Sequence, residues 1–234
     1  MKGLERQRII LETLGTRSSI EVKELLEMIP ASPATIRRDL TELESLGKIR
    51  KARGRISPAS ECHLPAFELR NAMHDEEKRQ IGRAAVKLVN EGDTIILDSG
   101  TTLQAMAENL GCFQRLTVIT NSISIAYILN STPVNVFLTG GFLDDMSLVG
   151  EDAVQFIEKH PVEKAFISAS STRGTVGLTV ISPLQLPIKR QMVASAKEVY
   201  ALLDESKFHI MGVNLFADFR ELTGIITSSR MQSA

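Results

Sequence analysis

Between Ala31 and Ser57 a capped amphipathic helix runs directly into a basic hairpin, and this juxtaposition limits what the first part of the chain can fold into more than any other feature. Ser32 suits an N-cap, where a hydroxyl accepts an orphan backbone amide. Pro33 suits the first helical position, where a missing N–H costs nothing. Ile36, Leu40 and Leu43 recur at i, i+4 and i+7 and make one buried stripe. Thr35, Arg37 and Arg38 fall off that stripe and stay free for a partner. After Gly47, the run Lys48-Ile49-Arg50-Lys51-Ala52-Arg53-Gly54-Arg55-Ile56 reads as two short strands turning near Arg53-Gly54.

The residues upstream extend the pattern. Leu4, Ile10, Leu11 and Leu14 mark a first helix ending near Gly15, and Ser19 and Ile20 suit a short strand beside the hairpin. Glu21–Ile29 reads as a second helix with Val22, Leu25, Leu26 and Ile29 on its apolar side, and Pro30 and Pro33 bracket a tight turn. Helix, strand, helix, turn, helix, hairpin is the order of a winged helix-turn-helix, whose recognition helix shows its N-terminal residues to bases in the major groove. The candidate DNA contacts are therefore Ser32 and Thr35 at the helix start, together with Arg37 and Arg38. Guanidinium groups can engage phosphate or guanine through paired hydrogen bonds. Lys48, Arg50, Lys51, Arg53 and Arg55 would add sequence-independent phosphate contacts. Because strand side chains alternate, Arg50 or Lys51 must face away from DNA. Asp39 is expected to pair with an arginine, since a carboxylate beside phosphates is repelled.

Charge partition agrees. The chain has 234 residues and a net charge of −1, yet residues 1–57 hold twelve Lys/Arg against eight Asp/Glu, while the remainder holds fifteen against twenty. A basic head on an acidic body implies that only the head meets a phosphate backbone. Hydrophobic content of 43% and charged content of 24% suit a globular protein. Cys62 and Cys112 offer no disulfide framework, and neither a secretory signal nor a membrane-length apolar run is visible, so a cytoplasmic location is expected. The four histidines are scattered without metal-ligand spacing, and neither a metal nor a cofactor is expected.

The expected organisation is a DNA-binding domain over 1–57, a linker over 58–74 and a second domain over 75–234. Asp75–Val89 is an amphipathic helix. Beyond it, Thr94–Leu97, Leu116–Ile119, Val134–Leu138, Ala165–Ile167 and Val199–Leu203 read as strands, with helices over Leu103–Leu110, Ile123–Leu129, Asp152–Lys159 and Ile188–Ala196. This alternation predicts an α/β domain with a mostly parallel sheet covered on both faces. Ligands of such sheets collect at the carboxyl ends of the strands. Four junctions there carry suitable residues: Asp98-Ser99-Gly100-Thr101-Thr102, Thr120-Asn121-Ser122, Thr139-Gly140-Gly141 and Asp204-Glu205-Ser206-Lys207. Glycines allow close backbone approach, hydroxyls and helix amides can hold a phosphate, and Lys207 brings an ammonium.

Ala34-Thr35-Ile36-Arg37-Arg38-Asp39-Leu40, Leu97–Thr102, Leu138–Gly141 and Asp204–Phe208, with Leu186-Pro187-Ile188-Lys189-Arg190, resemble the DeoR family of bacterial transcriptional regulators. The resemblance implies a sensor domain similar to ribose-5-phosphate isomerases and acyl-CoA transferases. It further implies a repressor of a sugar catabolic operon that a phosphorylated sugar releases, acting as a homo-oligomer (dimer or tetramer). Asp98, Ser99, Gly100, Thr101 and Thr102, with Lys189 and Lys207, would line the effector pocket, and Thr120, Asn121, Gly140 and Gly141 its neighbouring wall. The chain departs from the family in four places. Gly54-Arg55 replaces paired glycines in the wing. Ser168–Gly177 lacks an acid, and so does the interval Thr179–Lys189. The chain also stops soon after Thr227, so the last helix and strand are expected to be missing.

Two other readings compete. A sugar-phosphate isomerase or acyl transferase carrying an added domain would need a carboxylate base, and the acid-free intervals argue against it, although Asp98 and Asp204 remain. A protein-interaction module is the other. An effector-controlled DNA-binding regulator, not an enzyme, is the reading the residues favour.

Overall fold

A computed structural model of the chain describes residues 3–16, 19–46, 48–52, 54–58, 67–172, 174–209, 212–228 and 231–233. The expected order of the head is present: α1 (Gly3–Thr16), β1 (Ile20–Glu21), α2 (Val22–Met28), α3 (Pro33–Ser45), β2 (Ile49–Ala52) and β3 (Arg55–Pro58). The strands form an antiparallel sheet in the order β1-β3-β2, with Ile20 and Lys51 both opposite Ile56. Ile10, Leu14, Leu25, Ile29, Ile36, Leu40, Leu43, Ile49 and Ile56 close one apolar core. Leu4, taken above as part of the first helix's apolar signal, is 75% exposed, so the buried stripe of α1 starts a turn later.

Asp39 does pair with an arginine, and the partner lies far away in sequence. Arg6 on α1 reaches it two-pronged, Nε to Oδ2 at 2.6 Å and Nη2 to Oδ1 at 3.2 Å, with both residues buried. Two charges out of water are tolerated only when geometry is this complete. The hydrogen bond to Asp39 raises the Arg6 pKa above its ordinary value. One turn on, Gln7 donates to Glu42 at 2.8 Å. These contacts set the register of α1 on α3, and so where α3 points.

The stretch read as linker contains a helix, α4 (Phe67–Ala72); residues 59–66 of it, including Cys62 and His63, lie outside the described residues. Then follow α5 (Asp75–Val86), β4 (Thr94–Leu97), α6 (Thr101–Ala107), β5 (Thr117–Thr120), α7 (Ile123–Leu129) and β6 (Asn135–Leu138). A hairpin comes next, β7 (Phe142–Asp144) and β8 (Ser147–Val149), then α8 (Glu151–Glu158), β9 (Val162–Ile167) and β10 (Gly177–Val180). The chain goes on through α9 (Leu186–Ala194), β11 (Ala196–Leu202), β12 (Asn214–Asp218), β13 (Gly224–Ile226) and β14 (Met231–Ser233). Of the strands, β14 lies beyond Thr227.

The main sheet has the order β14-β13-β11-β9-β4-β5-β6, parallel except for β14. Successive residues of one strand enter opposite cores: Ile96, Ile119, Ala165, Ile167 and Val199 pack under α8 and α9, while Ile95, Leu97, Val118, Phe166 and Tyr200 pack under α5, α6 and α7. Burial on both faces explains why these strands read as continuous apolar runs. From β4 the chain builds outward through β5 and β6, then returns to the other side of β4 for β9, β11 and β13. The β4/β9 boundary is therefore the point where strand order reverses, the place where open α/β sheets leave a crevice. Among the described residues no helix is long and apolar enough to cross a membrane.

The buried head pair makes a comparative prediction. Asp39→Ala strands the Arg6 charge in the core and should lower the urea midpoint of the head's unfolding well below that of Glu44→Gln, which loses only the exposed pair with Lys51. Circular dichroism during urea titration measures both; equal midpoints would contradict the structural role given to Arg6–Asp39.

Candidate functional site

Two surfaces carry the candidate residues. On the head, Ser32 caps α3 as expected, its Oγ accepting the Thr35 amide at 3.2 Å and sharing a 2.8 Å hydrogen bond with the Thr35 hydroxyl. Arg37 and Arg38 stand exposed on the next turn, their side chains unpaired among the described residues. Arg50 is likewise exposed on β2, and Lys48 is half-buried at its start. Lys51 is the strand residue that turns away: it lies back on α3 against Glu44 at 2.7 Å and Thr41 at 3.2 Å. Arg55 crosses to β1, bonding Glu21 at 3.0 Å and Ser19 at 2.9 Å. Exposed pairs of this kind contribute little, typically about 0–1 kcal/mol, so phosphates can compete for both cations. Arg53 lies outside the described residues.

The second surface is a cleft of about 380 Å³, open mouth included, at the β4/β9 switch point. Ser99 and Gly100 line it from the end of β4, Ser168, Ala169 and Ser170 from the end of β9, and Lys207 from beyond β11. Gly100 has φ 128°, and a Cβ there would meet Ser168 Oγ at 2.6 Å, so the close approach excludes any other residue. Beneath the floor, fully buried Asp98 accepts the Lys189 ammonium at 2.5 Å and the Ser168 amide at 3.0 Å. Lys189 also donates to the Ser168 carbonyl at 3.1 Å and lies over the Phe216 ring. Asp98 thus lies behind the cleft lining, facing Lys189.

Thr101 and Thr102 open α6 and are buried, and the Thr102 hydroxyl donates to Asp204 at 3.3 Å. Asp204 takes the Ser206 amide at 3.1 Å and sits 4.0 Å from the Lys207 ammonium. Burial by itself would raise the Asp204 carboxyl, but Lys207, then Lys78 and the Ser206 hydrogen bond outweigh it and hold it down to about 2. Burial pushes Lys207 down against the pull of Asp204, and pushes Lys78 down to about 8.

Thr120, Asn121, Gly140 and Gly141 are not among the residues lining this cleft. Asn121 and Gly141 pack against the hairpin β7–β8. Asn121 Nδ2 donates to the Leu148 carbonyl at 3.1 Å, Thr120 Oγ1 accepts the Ser122 amide at 3.1 Å, and Gly141 passes so close that a Cβ would meet Val149 O at 2.3 Å. The hairpin itself supplies Asp145 and Ser147 to the cleft, and α4 supplies Phe67 and Arg70. Sequence reasoning missed these. Asp145 and Met146 have φ of 48° and 64°, a tight turn that the three-residue strands around it were too short to announce.

His74, Glu77 and Asp204 bring ligand atoms within 4.8 Å of one another, a grouping the scatter of histidines in sequence did not suggest. Glu77 already accepts the Glu205 amide and the Ser228 hydroxyl, and Asp204 faces two ammonium groups. Such a setting disfavours a further cation.

Comparison with known proteins follows the same division. The family model described as "DeoR-like helix-turn-helix domain" matches residues 6–61, and that described as "DeoR C terminal sensor domain" matches residues 73–229. The chain is 32% identical to the HTH-type transcriptional regulator IolR of Bacillus subtilis (strain 168), covering 93% of this chain and 88% of that protein. It is 33% identical to the HTH-type transcriptional repressor GlcR of the same organism, covering 95% and 87%. Among solved structures, the tetrameric eIF2B-beta2-delta2 complex from C. thermophilum matches with a TM-score of 0.51 and 14% identity over 97% of this chain and 68% of that chain. A ribose 5-phosphate isomerase from Methanocaldococcus jannaschii matches with a TM-score of 0.44 and 20% identity over 58% and 55%.

The depressed Asp204 carboxyl sets a pH dependence with a definite sign. Its folded pKa lies below the unfolded one, so its contribution is complete above about pH 4 and is lost as pH falls through about 2. A shift from 3.8 to about 2 corresponds to about 2 kcal/mol. Asp204→Asn should therefore destabilise the chain near neutrality, with the gap to wild type shrinking by about that amount between pH 5 and pH 2 in denaturant titrations. A gap independent of pH would contradict the assignment.

Proposed function

The chain belongs to the DeoR family of transcriptional regulators, and from that premise we propose that it represses a sugar catabolic operon until a phosphorylated sugar enters the cleft beside Lys189 and Lys207. It is a DNA-binding regulator with a small-molecule sensor domain; the operon, the sugar class and the residue roles are our reading. The observation that carries the effector reading is the composition of the cleft. Ser99, Ser168 and Ser170, the Gly100 turn before α6, and Lys207 line one strand-end crevice. Hydroxyls match a sugar, and an ammonium beside helix amides matches a phosphate.

On the DNA side, the unpaired guanidinium groups of Arg37 and Arg38 are suited to base edges or phosphates, with Ser32 and Thr35 fixing the helix start. Lys48, Arg50, Arg53 and Arg55 add phosphate contacts, and Lys51 joins only by leaving Glu44. The division we propose is a head over 1–57, a connection over 58–74 and a sensor over 75–234, with α4 the helical part of the connection. A cytoplasmic homo-oligomer, dimer or tetramer, suits two-fold operators.

The carboxylates support binding without turnover. An isomerase needs a base that can reach the sugar. Asp98 is occupied by Lys189 and the Ser168 amide, a carboxyl held at about 2, as in Asp204, is a weak base, and Asp145, the carboxylate that lines the cleft, is paired with Arg70.

Binding to a duplex selected by the wild-type chain from a random-sequence pool tests both halves. Arg37→Ala with Arg38→Ala should weaken that affinity at least about tenfold, since a good base contact contributes about 1–3 kcal/mol. Thr101→Ala with Lys207→Ala should keep the affinity but lose the response to sugar phosphates. Wild-type affinity that no pentose or hexose phosphate alters would reject the effector reading, and failure to select any duplex would reject the head assignment.

A further inference from the structure

Among the described residues the cleft lining holds three cations, each paired with a carboxylate, but the three pairs differ in how easily they can open. Lys189 holds Asp98, whose side chain has no exposure, and Lys207 faces Asp204, whose side chain is 1% exposed. Releasing either carboxylate would leave it buried and uncompensated, which is strongly unfavourable. Arg70 holds Asp145, whose side chain is 39% exposed at the tip of the β7–β8 hairpin. That carboxylate can be handed to water. An anion entering the cleft therefore exchanges most readily with Asp145 for Arg70, and the planar guanidinium fork suits a phosphoryl group.

Arg70 differs from the two lysines in a second way: it is carried by α4, outside the sheet and its covering helices. The C-terminal end of α4 is held from both directions. Lys78 of α5 donates to the Arg70 and Met73 carbonyls, the latter at 2.6 Å, fastening α4 to the sensor. Arg8 of α1, two residues on from Arg6 of the head's structural pair, donates to the Ala72 carbonyl at 3.0 Å. Six residues of helix thus join a cleft side chain to the first helix of the DNA-reading head.

We propose that α4 is the relay of this regulator: Arg70 leaves Asp145 for the anion in the cleft, and the resulting shift of α4 reaches the head through the Ala72–Arg8 contact. The identity of the anion rests on the effector reading above; the mechanical link does not. α1 carries Arg6 and Gln7, which set the position of α3, so a displacement at Arg8 is passed to the helix bearing Arg37 and Arg38.

The test uses the full chain with Cys62→Ser and Cys112→Ser, spin labels at Ser45→Cys on the head and Glu158→Cys on α8, and dilution with unlabelled chain to suppress distances between copies. Asp145→Asn, which removes the carboxylate charge that Arg70 holds, and Arg8→Gln, which cuts the contact to the head, should each shift or broaden the head-to-sensor distance. Glu163→Gln, which loses an exposed pair with Lys197, should not. On the selected duplex, Asp145→Asn should bind about tenfold more weakly without any sugar phosphate, within the usual range of allosteric coupling. In the Arg8→Gln background it should have no further effect. Distances unchanged in both variants overturn the relay, and a shift with Arg8→Gln alone overturns the sensing role of Arg70. If both variants shift the distance but calorimetry detects no sugar-phosphate binding, the relay stands and the effector reading falls.

Discussion

The buried pair of Asp98 and Lys189 is the interaction on which the sensor site depends. Taking two ions out of water costs on the order of several kcal/mol each, so the pair depends on further hydrogen bonds from the chain around it. Asp98 at the end of β4 takes the Ser168 amide at the end of β9, and Lys189 returns a hydrogen bond to the Ser168 carbonyl. The two strands are thereby joined across the point where the sheet reverses direction. Gly100 then has to pass against Ser168 with no side chain. The crevice is a consequence of this stitch.

The head uses the same device for a different purpose. Arg6 and Asp39 bury a charge pair between α1 and α3, and because α3 carries its apolar stripe on one side, fixing its rotation turns Arg37 and Arg38 outward. In both regions a single buried ion pair orients a surface that carries cations. Between them, α4 touches both: its side chains reach the cleft and its carbonyl accepts from the head. The sensor and the reader are thus physically continuous through a very short element.

Local patterning made much of this legible. The capped helix, the basic hairpin and the apolar runs of β4, β5, β9 and β11 were all readable, because an i, i+4, i+7 stripe marks a helix and strands buried on both faces leave short continuous apolar runs. The hairpin β7–β8 and the ribbon β10/β12 were not, since strands of three to five residues far from the sheet leave weak signals. Within the cleft, Ser99, Gly100, Lys189 and Lys207 could be named from strand-end motifs, whereas Arg70 lies in a segment with no such marker and was read as linker. Gly140 and Gly141 looked like ligand-contacting glycines, yet at Gly141 the demand comes from the Val149 backbone.

The sequence alone determined the helices of the head and the central strands of the sheet, where the positive charge concentrates and which strand ends carry hydroxyls, glycines and a lysine. These are short-range properties, set by periodicity, capping and composition. Tertiary structure decided which distant charges meet: Arg6 with Asp39, Lys189 with Asp98, Arg70 with Asp145. Pairings across 33, 91 and 75 residues depend on how layers pack, and no local rule of spacing specifies them.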